Sequence, residues 1–117
     1  MISGISSALS ALFSFSKKVE STANNVANVN TDGFKKTRVV LDEVDPLGVA
    51  PRVEKINDPG PLVYERTTNG EEMVEQSNVE LTEELPNLML SKRYFEANIK
   101  TIQTTDEMLG SLLDTKG

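Results

Sequence analysis

Two heptad patterns of apolar residues, one near each end of the chain, constrain its fold more than any other feature of the sequence. In the first, positions 5, 9, 12, 16, 19, 23 and 26 alternate spacings of four and three residues, with one serine among them. The second runs from residue 81 to 113 with the same spacing and is interrupted by Lys92 and Asp106. This periodicity predicts long amphipathic helices over residues 3–28 and about 81–113, with Pro86 near the start of the second, where proline costs little.

The segment between the predicted helices differs in composition, because four of the five prolines lie between residues 45 and 70. Residues 34–44 favour an extended strand. The turn sequence at 58–61 separates two further strand-like pieces, 52–56 and 62–66, and predicts that they pair as a small hairpin or meander. Residues 67–76 are predicted to form a polar loop, with a turn at the Asn-Gly dipeptide within it.

Asparagines cluster where the first helix must end. Residues typical of an exit turn are Asn30, Asp32 and Gly33. A second group lies further back: Asn24, Asn25 and Asn28. Because asparagine is a poor residue for a helix interior, we expect these amides to hydrogen-bond a partner helix and to fix its register.

The predicted architecture is mainly α with a small β insert. It consists of an N-terminal helix (1–30), a turn and β-rich insert (31–80) and a C-terminal helix (81–117). The two heptad helices are expected to form a coiled coil, within one subunit or between subunits. The alternative is that both helices cover their own β core. The insert is too short to cover two helices of this length, which favours packing between molecules.

Composition excludes several classes of function. With no His and no Cys, the chain cannot use imidazole or thiol catalysis, disulfides, or zinc sites built on those ligands. Residues 41–80 carry ten acidic and three basic side chains within a net charge of −6, which argues against nucleic acid as a partner. No apolar run is long enough to insert into a membrane, and no secretory signal is recognisable. No motif indicates a cofactor, a metal or a small-molecule substrate.

Two stretches together resemble a known family. ANNVANVNTDGFKK, at residues 23–36, is similar to the N-terminal signature of bacterial flagellar axial proteins of the rod and hook. SNVELTEE at 77–84, RYFEAN at 93–98 and TDEML at 105–109 resemble the C-terminal signature. The short insert is most similar to that of proximal rod proteins. Phe95 stands where the family usually has tyrosine.

The resemblance implies a structural subunit of the flagellar basal-body rod, which crosses the periplasm. Such subunits are made in the cytoplasm and leave through the flagellar type III export apparatus. They polymerise with themselves and with other rod proteins, as their terminal helices pack into coiled coils. The residues expected at this assembly interface, besides the three asparagines above, are Ile5, Leu9, Leu12, Val19, Val26, Leu85, Leu88, Phe95, Ile99, Ile102 and Leu109.

Two other interpretations remain. The first is a soluble helical adaptor or chaperone, related to rod proteins, that acts in flagellar secretion or assembly and holds a client on the same apolar faces. The second is a metal-dependent enzyme that uses the acidic stretch at residues 71–84. That stretch lacks the alternating oxygen ligands and the glycine of a calcium loop, so a solvated acidic surface is the better interpretation.

Overall fold

The computed structural model describes residues 2–116 of the chain, and the side chains of residues 3–115. Along the chain, one helix precedes four strands and a second helix follows them. The helices are α1 (Ile2–Ala27) and α2 (Leu81–Lys116). The strands are β1 (Thr37–Glu43), β2 (Val49–Lys55), β3 (Leu62–Thr67) and β4 (Gly70–Glu75). The molecule is elongated, with extents of 80 × 24 × 19 Å. The predicted architecture of two terminal helices around a small β insert is confirmed.

The two helices pack side by side and run antiparallel. Near the C-terminal end of α1, Asn25 lies 3.3 Å from Glu84 in the first turn of α2. Further along, the ring of Phe15 stacks on that of Tyr94 with centroids 5.2 Å apart. At equal rise per residue, the start of α1 lies opposite about residue 107 of α2. The last two turns of α2 therefore extend beyond α1, and they expose Met108, Leu112 and Leu113.

The strands form two separate antiparallel hairpins, and this corrects the predicted pairing. Strand β1 pairs with β2, and β3 pairs with β4. The predicted pairing of residues 52–56 with 62–66 is therefore wrong: the turn at 58–61 links two hairpins rather than closing one. The predicted polar loop at 67–76 is wrong too, because most of it is β4. Its Asn69-Gly70 dipeptide does make the tight turn, where Gly70 has a φ of 117°.

The buried interior is small and largely polar. Among the described side chains, only three apolar residues are buried: Ala8, Val39 and Val79. Twice as many polar residues are buried, namely Ser14, Thr22, Asn25, Ser77, Glu84 and Ser91. All their buried polar atoms have hydrogen-bond partners, as burial without a large energetic cost requires. Hydrogen bonds between elements therefore define this fold as much as apolar packing does.

Backbone hydrogen bonds close the first turn of α2. Helix α2 begins at Leu81, and the carbonyl of Glu80 accepts from the N–H groups of Glu83 and Glu84. Ser77 lies outside the helix, where its hydroxyl accepts from the N–H of Val79 at 3.2 Å. Pro86 lies inside the second turn. Over the described residues, neither helix combines the length and apolar character that a membrane-crossing segment needs.

Candidate assembly interface

The apolar heptad seam of α1 is not the face that the chain buries. Ile5, Leu12, Val19 and Val26 are only half-buried, and Leu9 between them is 54% exposed. A second row, which includes buried Ser14 and Asn25, lies two positions further on: Ser7, Ala11, Ser14, Lys18, Ser21 and Asn25. Buried Ala8 and Thr22 lie between the two rows. Two residues rotate the helix by about 200°, so the second row points the opposite way. The apolar seam is therefore only partly covered in the single chain, and Leu9 is its most exposed member.

The seam of α2 is divided in the same manner. Leu88, Phe95, Ile102 and Leu109 are half-buried. The positions between them are exposed, with Leu85 at 47% and Ile99 at 37% exposure. Together with Leu9 and Phe13 of α1, these side chains leave apolar surface on both helices. Within the described residues, no further element of the chain packs over this surface: the first hairpin contacts α1 through the small, polar row of that helix, and the second hairpin contacts neither helix.

The small residues of α1 hold the first hairpin by hydrogen bonds. The hydroxyl of Ser10 accepts from the N–H of Val49 at 3.2 Å. Further along, the hydroxyl of Ser21 lies 2.7 Å from that of Thr37. Gly48, with a φ of 134°, passes so close to α1 that a Cβ there would lie 2.9 Å from the Ser10 hydroxyl oxygen. A small, polar helix face is what allows the strands to approach this closely.

Asn25 is the centre of the junction between α1, β1 and α2. Its side chain is 1% exposed. Its Nδ2 donates to the carbonyl of Thr37 at 2.8 Å, and its Oδ1 accepts from the N–H of Thr37 at 3.0 Å. Nδ2 also lies 3.3 Å from the Glu84 carboxylate. The partners of this amide within the chain are a strand and the second helix, and its role at an interface between subunits stays a prediction.

The other asparagines of the group make local contacts. Asn28 donates to the carbonyl of Asn24 at 2.8 Å, and its Oδ1 accepts from the hydroxyl of Thr31 at 3.1 Å. Gly33 has a φ of 71°, a conformation that glycine adopts more readily than other residues because it has no Cβ. Its N–H donates to the carbonyl of Glu75 at 2.8 Å. Asn30 and Asp32 are exposed within the turn.

Asn78 repeats the role of Asn25 at a second junction, and sequence reasoning did not find it. Its Oδ1 accepts from the N–H of Lys36 at 2.7 Å. Its Nδ2 donates to the carbonyls of Ile56 and Asp58, at 2.9 and 3.0 Å. One side chain thus joins the segment before β1, the link between the hairpins and the entry to α2. The signals that could have indicated it are its place just before the second predicted helix and its position in the SNVELTEE stretch that carries the family resemblance.

An ion pair holds the base of the second hairpin. The ammonium of Lys35 binds the carboxylate of Glu75, which also accepts from the N–H of Gly60 at 3.0 Å. These two contacts, led by that with Lys35, hold the pKa of Glu75 below its ordinary value of 4.5. On the first hairpin, Arg52 binds both Asp42 and Glu54, and mainly for this reason the pKa of Glu54 is also lowered.

The recesses of the surface offer little to a small molecule. One recess, of about 390 Å³, lies between α1, β1 and α2 and is lined by charged and hydroxyl side chains, including Lys18, Lys36 and Glu84. Its charges are shared among ion pairs and helix contacts rather than directed at one point. Within the described part of the chain, no three acidic side chains gather in the way that a metal site requires. The exposed apolar side chains of α1 and α2 are thus the surface that a binding partner would most stabilise.

Comparison with known families matches both ends of the chain. Residues 5–35 match the family described as "Flagella basal body rod protein". Residues 71–115 match the family described as "Flagellar basal body rod FlgEFG protein C-terminal". The first match covers most of α1 with its exit turn, and the second covers β4 and nearly all of α2. These are the elements that make up the helix pair.

Individual relatives match over less than half of the chain. The flagellar hook protein FlgE of Salmonella typhimurium is 36% identical over 53 residues, which is 45% of this chain and 13% of that protein. FlgE of Escherichia coli is 39% identical over 49 residues, or 42% of this chain and 12% of that protein. FlgE of Helicobacter pylori is 44% identical over 43 residues, or 37% and 6%. The chain thus matches only a small part of the length of these relatives.

Proposed function

Because the chain belongs to the family of bacterial flagellar rod and hook axial proteins, we propose that it is a structural subunit of the proximal rod of the basal body. In this role it leaves the cytoplasm through the flagellar type III export apparatus. It then polymerises with copies of itself and with other rod proteins. The small insert between the helices, four short strands and their links, supports a proximal rod protein rather than one with a large middle domain.

The observation that carries this proposal is the uncovered apolar surface on both terminal helices. Leu9, Leu85 and Ile99 lie at heptad positions and are 37–54% exposed. Apolar side chains at this spacing are the knobs that coiled-coil packing requires. Contiguous apolar surface on a small protein marks a site of association. We therefore propose that neighbouring subunits cover these seams, with Asn24 and Asn28 at the edge of the contact.

A tubular polymer also requires contacts that do not close on themselves. Head-to-tail contacts between different surfaces of one subunit generate open helical assemblies. An elongated molecule of 80 Å, with α2 projecting beyond α1 at one end and the second hairpin at the other, supports such contacts. No catalytic step is part of the proposal.

The test is mass spectrometry of purified hook–basal bodies from the source cell. We expect this chain in the particles at a stoichiometry comparable to that of other rod proteins. Its presence only in the cytosol would overturn the proposal. It would instead favour the soluble adaptor or chaperone, which predicts a monomer whose helices are stable in dilute solution.

A further inference from the structure

The second hairpin has no element of its own chain packed against it. Strands β3 and β4 pair only with each other, and across the described residues neither contacts a helix or the first hairpin. A two-stranded hairpin with both faces in water is only marginally stable. A partner that covered one face of this hairpin would therefore stabilise it.

One face of this hairpin combines an apolar pair with a pair of like charges. The cross-strand register places Val63 opposite Val74 and Glu65 opposite Glu72. Like charges directly opposite each other destabilise a hairpin. Neither glutamate has a cation within 4.0 Å in the described part of the chain. The other face, where Tyr64 lies opposite Met73, carries no such conflict.

Helix α2 carries a surface with the complementary pattern. A shallow recess of about 670 Å³ is lined by Met89, Lys92, Arg93, Glu96 and Ala97. Met89 is 63% exposed. Lys92 has only a distant partner, Glu96 at 4.0 Å, and within the described chain Arg93 has none inside that distance. Arg93 lies about 200° around the helix from buried Ser91, so the recess faces away from α1.

The spacing of the two surfaces agrees. On β3, Val63 and Glu65 are about 6.8 Å apart along the strand. On α2, Met89 and Arg93 are about 6 Å apart along the axis. A strand laid roughly along the helix thus places its valine over the methionine and its glutamate over the arginine. The same arrangement gives a role to Lys92, one of the two polar residues that interrupt the heptad seam of α2.

We propose that the Val63–Glu65–Glu72–Val74 face of the second hairpin docks on the Met89–Lys92–Arg93 surface of α2 in a second copy of this chain. The contact is heterologous, because it joins two different surfaces, and it can therefore repeat along an assembly. The occupant is argued from complementary charge and matched spacing. The inference rests on the proposed role as a self-assembling subunit and names one of its contacts.

The test uses two charge-reversed full-length variants, Glu65→Lys/Glu72→Lys and Lys92→Glu/Arg93→Glu. The first variant retains a like-charge pair within the hairpin, and the second leaves the hairpin unchanged, so the intrinsic stability of the hairpin changes little in both. We expect each variant alone to self-associate about tenfold more weakly than wild type in sedimentation velocity at low salt. An equimolar mixture restores association, because each hairpin then meets a helix of opposite charge. Glu43→Lys/Asp45→Lys, which makes the same change in charge as the first variant but outside the second hairpin, is the control for that variant.

A second readout locates the contact. A zero-length carboxylate–amine cross-linker, applied to a mixture of unlabelled and isotopically labelled chain, is expected to join Glu65 or Glu72 to Lys92 in peptides of mixed label. The contact is overturned if the wild type stays monomeric at every concentration, if both variants associate as the wild type does, or if the cross-link joins only peptides of one label. Should association persist in both variants but be lost on Leu9→Asp, the seam contact stands and only the hairpin contact fails.

Discussion

The side-chain amide of Asn25 pairs with both backbone groups of Thr37, donating to its carbonyl at 2.8 Å and accepting from its N–H at 3.0 Å. In this way a side chain of α1 takes the place of a neighbouring strand on the edge of β1 that does not face β2. The pair fixes the position of the first hairpin on the helix. Because Glu84 lies 3.3 Å from the same amide, it also ties α2 to the junction.

Replacing this amide is expected to destabilise the fold. Asn25→Ala removes the acceptor of the Thr37 N–H and leaves the half-buried Thr37 carbonyl with only the Ser21 hydroxyl as donor, at 3.3 Å. An N–H left without a partner costs about 1–3 kcal/mol. Urea unfolding followed by circular dichroism measures the change. The control is Asn24→Ala, one position along on the exposed surface, which we expect to shift stability by less than about 0.5 kcal/mol. Equal effects of the two substitutions would contradict the role given to Asn25.

Gly60 is required by a close backbone contact. A Cβ at this position would lie 2.0 Å from the carbonyl oxygen of Gln76, so Gly60→Ala must displace the link between the hairpins from the entry to α2. We expect a loss of more than about 2 kcal/mol in the free energy of unfolding, since backbone atoms cannot move aside as a flexible side chain can.

Gly110→Ala is the matched control for this substitution. Gly110 lies inside α2 with nothing within 4 Å of the added Cβ, so alanine there is expected to stabilise the helix by about 1 kcal/mol. Thermal unfolding of the two variants should therefore shift in opposite directions. An unchanged unfolding temperature of Gly60→Ala would contradict the close packing of Gly60 against the Gln76 backbone.

The ion pair of Glu75 predicts a dependence of stability on acid pH. Since folding lowers the pKa of Glu75 below 4.5, the folded state binds fewer protons than the unfolded state in this range. The contribution is complete above about pH 5 and is lost as the pH falls through the lowered pKa. Unfolding midpoints measured from pH 7 down to about pH 3 should show this loss in the wild type, and less of it in Glu75→Gln. Glu43→Gln, at the exposed end of β1, is the control and should follow the wild type.

The exposed seam positions allow assembly to be tested apart from folding. Leu9 is 54% exposed, so Leu9→Asp should leave the unfolding free energy of the monomer within about 1 kcal/mol of wild type, yet abolish assembly by placing a charge in the apolar contact. Leu9→Met, which keeps apolar volume, should assemble normally. Sedimentation velocity and motility of cells carrying each variant are the measurements.

Substitution at half-buried seam positions is expected to be less selective. Leu12→Asp and Ile102→Asp should abolish assembly as well, but part of their effect should appear as lower stability of the single chain. Assembly that survives in all three aspartate variants would remove both seams from the proposed interface.

The sequence alone determined the two helices and the insert between them. Heptad spacing over residues 5–26 and 81–113 identifies amphipathic helices independently of their partners, and the Asn-Gly turn is a local preference of those two residues. The two terminal segments carry the family resemblance in the same way. The helices, the turn and the family resemblance all depend on residues that are close together in the sequence, so they can be recognised without the tertiary structure.

Only the tertiary structure decided which face of α1 is buried and which strands pair. Two rows on α1 share the same period, the apolar seam of Leu9 and the small, polar row of Ser14 and Asn25. The second row is the one covered, because small residues admit β1 and β2 closely and their polar groups satisfy the strands. The sequence predicted the wrong strand pairing, because residues 62–66 can pair with the strand before them or with the one after them. In the structure, contacts of Glu75 with Gly60 and Lys35 fix the link between the hairpins, and β3 pairs with β4. Periodicity reveals that a face exists, but the partner that covers it depends on contacts between residues far apart in the chain.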